Sequence, residues 1–456
     1  MAKLPSFRPC ARLLALSILL ANPAVRAQDD DARERESAGS TTVTAEEPEQ
    51  VSGVEREPRG PFDTGRTVAD WFLLIPRGAV ELGFIATGTA AGLMEDEQVV
   101  PRVHDLFNPR SGQISVFPTL FMETGTDLNA GGRMIARSGP LATSVRVGYG
   151  GVRSLVAESR VRYHAAHWLP EVFTLESFHA ATSGVSFLGL GQDPANDPRN
   201  HFLGSARKGL YDVRQERYIF SYGVRPIEHG EFLLSSSLNQ RHLSNGAGTD
   251  RMRAVFELRD YDDALRVSRI VYSEASLRYD TRRTRGGPSP GYLAEVYAGY
   301  GGELGKTQST RFAKTGGRLA SFTRFGRTAG VLSPKIVVDT ISPVGDTNVP
   351  FILLPSQSDF RGFNNRRDYV SLVGSLDYRW ALARFFAARL FADIATVAPN
   401  TRELTLNGLR YAGGVGVDIF SRSTPLGSIA TSFSPEGMRL LLRIGLAPTF
   451  GDRQHK

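Results

Sequence analysis

The 456-residue chain has one cysteine, three tryptophans and only six lysines. Its single thiol, Cys10, lies in the basic stretch Lys3–Arg12, ahead of the apolar run Leu13–Ala21 and the small-residue site Val25-Arg26-Ala27. That order reads as a secretory signal over residues 1–27, cleaved after Ala27. Cys10 sits too early for a lipoprotein acceptor and leaves with the signal. The expected mature chain then has no disulfide, no thiol nucleophile and no thiolate metal site. Long apolar runs are missing too. The run at Leu13 is too short to span a bilayer, and a mean hydropathy of −0.20 excludes a polytopic helical membrane protein, which needs several stretches of about 20 apolar residues. Lysine is so scarce that 48 of the 54 basic residues are arginine, which suits a base-rich genome or many arginines set in a protein wall better than a lysine-studded soluble surface.

Catalytic signatures are equally sparse. No G-x-S-x-G elbow, phosphate loop or dinucleotide fingerprint occurs. His164 and His167 are the only close histidine pair, and on a strand their spacing sends the rings to opposite faces, against a metal site. No enzymatic activity, cofactor or metal is expected. The net charge of +7 hides a larger excess, because the signal carries +4 and the segment after it −7, leaving +10 for residues 66–456. Export and the dispersal of these charges argue against a nucleic-acid partner.

Residues 28–65 hold eleven acids, four arginines and few large apolar side chains, a composition that reads as a disordered acidic linker. Over residues 66–110 the period becomes helical: Val68, Trp71, Phe72, Ile75, Ala79, Leu82 and Ala86 recur on one face, with Pro76 as a break. This stretch is expected to pack at or inside the mouth of the C-terminal domain, the alternative being a helix lying on a surface. From Gln113 the period is two. Sixteen segments alternate, approximately 116–124, 129–138, 142–151, 156–166, 171–183, 210–226, 231–244, 265–281, 291–303, 311–326, 330–342, 369–382, 386–398, 408–420, 426–435 and 438–450. In the last, Leu440, Leu442 and Ile444 share one face, and Arg439, Leu441 and Arg443 the other.

One apolar and one charged face, repeated sixteen times, predicts an all-β fold: a transmembrane antiparallel barrel of about 16 strands over residues 111–450, with a polar tail at 451–456. Loop lengths agree. The three longest gaps, 184–209, 245–264 and 343–368, come after the fifth, seventh and eleventh segments and so emerge at one end. A soluble propeller is the rival architecture, but no blade repeat is present. Gly445 and the terminal aromatic Phe450 read as the signal of a closing strand.

The C-terminal third resembles the BamA/TamA family of outer-membrane assembly barrels, the bacterial surface antigens. The resemblance rests on Phe360-Arg361-Gly362-Phe363 in the sixth outward loop, Ser375-Leu376-Asp377-Tyr378-Arg379, Leu390-Phe391-Ala392-Asp393-Ile394-Ala395, and Gly408-Leu409-Arg410-Tyr411 through Pro425-Leu426-Gly427. Tyr279-Asp280-Thr281-Arg282 with Pro290-Gly291-Tyr292, and Phe187-Leu188-Gly189-Leu190-Gly191, add to it. It implies that the loop folds back into the lumen and that Arg361 meets Asp377 and Asp393, both at inward parity on adjacent strands. Gly362 would allow close approach and Phe363 would pack on the wall, in a structural lock. Ala395 stands where the family carries glycine, which puts close packing of the loop there in question.

The family's machines carry periplasmic POTRA domains; the 38 residues from Gln28 to Gly65 are too few and too polar for one, so the expectation is a POTRA-less member. The resemblance implies a monomer in the outer membrane of a Gram-negative bacterium, in contact with lipid, with unfolded outer-membrane proteins or the barrel-assembly machinery as partners and a role in assembly or translocation. The alternatives are a structural or passive pore-like barrel, and a TonB-coupled receptor suggested faintly by Thr41-Thr42-Val43-Thr44-Ala45. The receptor would require 22 strands.

Overall fold

The computed structural model describes residues 114–444, apart from 124–128, 151–153, 167–168, 259–260, 262–264, 283–288, 306–309, 326–329, 346–348, 364, 384, 406–407 and 422–423. The signal, acidic linker and helical segment, the tail, and Gly445 and Phe450 all lie outside the described residues.

Sixteen antiparallel strands close into one ring, each paired with its sequence neighbours and β1 with β16. They are β1 (Ile114–Glu123), β2 (Asn129–Ser138), β3 (Leu141–Tyr149), β4 (Ser154–Ala166), β5 (Pro170–Phe187), β6 (Gly209–Ile227), β7 (Gly230–Asn245) and β8 (Val267–Asp280). The second half continues with β9 (Gly291–Glu303), β10 (Arg311–Phe325), β11 (Gly330–Pro343), β12 (Val370–Ala383), β13 (Phe386–Ala398), β14 (Arg410–Ser421), β15 (Thr424–Ser434) and β16 (Gly437–Ile444). Sixteen strands are too few for a 22-strand receptor. The described residues hold one α-helix, α1 (Met252–Val255), a single turn in a loop.

Burial is inverted relative to a water-soluble protein. On β8, Leu277 is 56% exposed while Glu274, on the opposite face, is 5% exposed. Val147, Leu175, Val296, Leu319 and Ile429 repeat the outward apolar pattern around the ring. Apolar side chains turned out and charges turned in are what hydrocarbon outside and a polar lumen demand. Three places on the outer face carry hydroxyls in directly opposed pairs: Ser159 with Ser177 at 2.8 Å, Ser236 with Ser273 at 3.0 Å, and Thr315 with Thr340 at 2.7 Å. Each pair satisfies itself where no water is at hand.

The lumen wall is stitched by ion pairs. Arg160 bonds Glu158 and Glu176, Arg278 bonds Glu231 and Glu295, and Arg266 bonds Glu303. At the loop end a second core replaces the charges. Phe187 of β5, Tyr211 of β6, Met252, Val255, Phe256 and Tyr261 of the fourth outward loop (246–266), and Phe351, Leu353 and Leu354 of the sixth (344–369) bury one another. Phe187 and Phe351 rings lie 4.6 Å apart. The long loops thus form a packed dome over this end of the barrel.

One boundary differs from expectation with consequence. β5 ends at Phe187 rather than 183, because a bulge between Thr182 and Val185 lets the ladder resume after an irregular pair. That extension carries Phe187 into the dome.

Candidate functional site at the sixth outward loop

Pairing of β12 with β13 sets Ser375 opposite Asp393 and Asp377 opposite Phe391, so both aspartates face the lumen on neighbouring strands. Loop residues 357–363 descend between these strands and β10–β11. Phe360, 1% exposed, fills an apolar patch made by Val337, Val373, Ala395 and Ala412. The methyl of Ala395 belongs to that patch, so alanine in place of glycine is accommodated with the loop in contact.

The structure brings Arg361, Asp377 and Asp393 together. Asp393 accepts three bonds from Arg361: the backbone N–H at 2.9 Å, Nε at 2.8 Å and Nη2 at 2.5 Å. Nη1 of Arg361 donates to Asp377 Oδ1, and the guanidinium lies 3.9 Å from the ring centroid of Phe391. The Asp393 side chain is fully buried. Burial disfavours the Arg361 charge, but the bonds to the two carboxylates outweigh it and hold the guanidinium above its ordinary pKa. The arrangement is asymmetric: Asp377 also has Arg379 and Arg389 nearby, and these two share Asp418 at 3.6 and 3.4 Å. Asp393 takes its bonds from Arg361.

The next two residues are held by their backbones. Arg439 donates to the carbonyl of Gly362, Arg410 to that of Phe363, and Ser432 Oγ to that of Arg361 at 2.6 Å. A Cβ on Gly362 would stand 2.5 Å from the Phe360 ring and 3.1 Å from the Ala412 methyl, so the tight descent requires glycine. The Phe363 ring is half-buried and reaches toward Gly437 at the start of β16.

Sequence reasoning missed a second anchor two residues earlier. Asp359 accepts from Lys335 at 2.9 Å and Arg318 at 3.2 Å, on β11 and β10. Burial alone would push its carboxyl up, but these two cations hold it below the usual carboxylate range. The loop thus presents an acid to basic strands and, two residues on, a base to acidic strands. The alternation in Asp359-Phe360-Arg361 was a readable signal. The bonds of Arg410, Ser432 and Arg439 to loop carbonyls had no such signal.

A third anchor joins two loops. Arg199 of the third outward loop (188–208) forks onto Asp368 at 2.9 and 2.7 Å, and onto Asp197. Asp368 is fully buried. Gln192 accepts from the Val397 N–H at 3.0 Å and donates to Gly408 at 2.8 Å, pinning the same loop to β13 and the seventh outward loop. Gly191 sits at φ +91, and a Cβ there would clash with the Asp197 carboxylate, which accounts for the last glycine of the Phe187–Gly191 motif.

The solved structure of BamA from Haemophilus ducreyi lacking POTRA domains 1-3 is similar, with a TM-score of 0.50 and 12% identity over 73% of this chain and 70% of that one. The fold is that of a BamA-type barrel. CdiB from Acinetobacter baumannii (TM-score 0.44, 8% identity, 73% of this chain and 60% of that one) and CdiB from Escherichia coli (0.43, 9%, 72% and 62%) are also similar. No protein-family model and no curated protein matches the sequence. The likeness is one of fold.

Proposed function

We propose that this chain is an outer-membrane barrel of a Gram-negative bacterium that assists the assembly or translocation of other outer-membrane proteins, without enzymatic chemistry. The observation that carries this reading is the sixth outward loop, drawn into the lumen and clamped by Arg361 to the buried Asp393. A long loop folded inward and fixed by a desolvated charge fills part of the lumen with structure held at a cost. The packed loop core at the same end supports this reading, since it gives the outward loops a fixed structure. Lipid contacts the outward apolar face, and unfolded outer-membrane proteins or the barrel-assembly machinery are the partners.

Depletion of the protein followed by a quantitative outer-membrane proteome tests this. Selective loss of a set of barrel or exported proteins is expected. An unchanged proteome, together with steady single-channel conductance from the purified barrel, would instead favour a passive pore.

A further inference from the structure

Beneath the dome the pairing rule of the lumen wall is broken. Arg241 on β7 faces inward, opposite Gln215 and Ser268 on its neighbouring strands. Its charged neighbours are two more cations, Arg217 on β6 and Arg367 of the sixth outward loop, with the Tyr211 phenol beside them. No carboxylate among the described residues is near enough to attract it. Its Nη1 is enclosed and has no hydrogen-bond partner, while the rest of the side chain stays partly open to the lumen. Gln215, whose amide nitrogen donates to Asn239 Oδ1 at 3.1 Å, makes no bond to that Nη1.

The neighbouring cations are fixed in place. Arg217 is buried with its guanidinium 4.8 Å from the centre of the Phe178 ring. Arg367 is held by loop structure: its carbonyl accepts the Gly191 N–H at 3.0 Å, and its Nη1 donates to the Ile352 carbonyl at 3.3 Å. The fold therefore spends loop contacts to bring a third positive charge toward two others. Like charges in a partly desolvated space repel, and an unpaired buried cation is costly. Such a site is compensated by an anion of high charge density, for which planar guanidinium forks are the matching donors.

We propose that Arg241 and Arg367, backed by Arg217, form an internal site for a phosphate-type oxyanion, free or carried on a small headgroup. The same arrangement would make dome order sensitive to the anion, because Arg367 belongs to the sixth loop.

The test uses the full-length protein in a zwitterionic detergent at fixed ionic strength set with chloride. One arm adds inorganic pyrophosphate and the other a soluble short-chain phosphatidate, with melting temperature and loop protease resistance as readouts. A saturable rise in at least one arm is expected, and which arm responds identifies the source. In Arg241→Gln the apparent affinity should fall about tenfold or more, the loss of a charge-assisted bond, and in Arg367→Gln it should fall in the same direction. Without added anion Arg241→Gln should melt no lower than the parent, since it relieves repulsion; this also shows that the variant folds. The outward-facing Arg214→Gln serves as control. A response that is absent, non-saturable, or unchanged in Arg241→Gln overturns the site.

Discussion

The two sides of the barrel use the same residues for different ends. On β4–β9, arginines and glutamates satisfy one another across the strands: Glu158 and Glu176 share Arg160, and Glu231 and Glu295 share Arg278. On β12–β16, the wall reaches inward to a loop: Asp377 and Asp393 take Arg361, while Arg410, Ser432 and Arg439 take backbone carbonyls of residues 361–363. The first wall is redundant around these two arginines, since Arg160 and Arg278 each bridge two acids while Glu158 and Glu231 each bind a second arginine, Arg133 and Arg225. The second is committed, since its groups have few partners besides the loop. Damage should therefore be absorbed on one side and transmitted on the other.

The largest effect is expected from Asp393→Asn, which leaves a buried guanidinium short of its main counter-charge. A loss of about 3–5 kcal/mol is the usual cost of breaking a buried pair, read as lower heat resistance of the folded barrel on gels and new protease cleavage near Arg366. Arg361→Ala should match it, and Arg361→Lys should recover only part, because an ammonium cannot fork across two carboxylates. Wild-type heat resistance and loop protection in Arg361→Ala would dismiss the lock.

Asp368→Asn should come next, at about 2 kcal/mol, since it strips Arg199 of a buried bidentate partner. Its signature is protease access in the third outward loop with the Arg361 region still protected. Asp377→Asn should cost less, about 1 kcal/mol, because Arg379 and Arg389 remain near Asp418 and Asp377 is the less committed acid. Equal damage from Asp377→Asn and Asp393→Asn would show that the asymmetry has no energetic weight.

Acid should act on the loop anchors in a defined window. The Asp359 and Asp197 carboxyls are both held below their ordinary value of 3.8. Groups with depressed folded values contribute fully above the unfolded value and lose that contribution as pH falls through the folded one. Loop protection should thus be flat from about pH 5 to 8 and decline only below about pH 4; a decline centred near pH 6 would implicate other groups. The smallest effect belongs to Glu176→Gln on the redundant wall, where Glu158 still holds Arg160. It should shift heat resistance by no more than the equivalent of about 1 kcal/mol and leave loop protection unchanged.

The barrel was legible because its signal is repeated: a period of two, held for sixteen segments, survives errors of a residue or two at each end. Parity turned Asp377 and Asp393 inward, and the family resemblance paired them with Arg361. The anchors beyond them were hidden for a different reason. Arg199 and Asp368 are 169 residues apart, in loops whose paths have no period, and nothing in Asp197-Pro198-Arg199-Asn200 names a distant acid. The bulge at Thr182–Val185 was invisible for the same cause, since an irregular pair erases the alternation that marks a strand. Sequence order reports which residues share a face, and it is silent on which loops meet above it.

The opposed hydroxyls on the outer face have a bearing on how the strands find their partners. A slip of one residue is self-announcing, since it turns a charged face toward lipid. A slip of two keeps every face correct and escapes that test. It does not escape the hydroxyls: displaced by two, Ser159 meets Leu175 or His179, and Ser236 meets Val271 or Ala275. The matched Ser–Ser bond is lost either way, and with the aliphatic partners both oxygens stand orphaned in hydrocarbon. These pairs work as check digits, reporting the class of error that in–out alternation cannot detect.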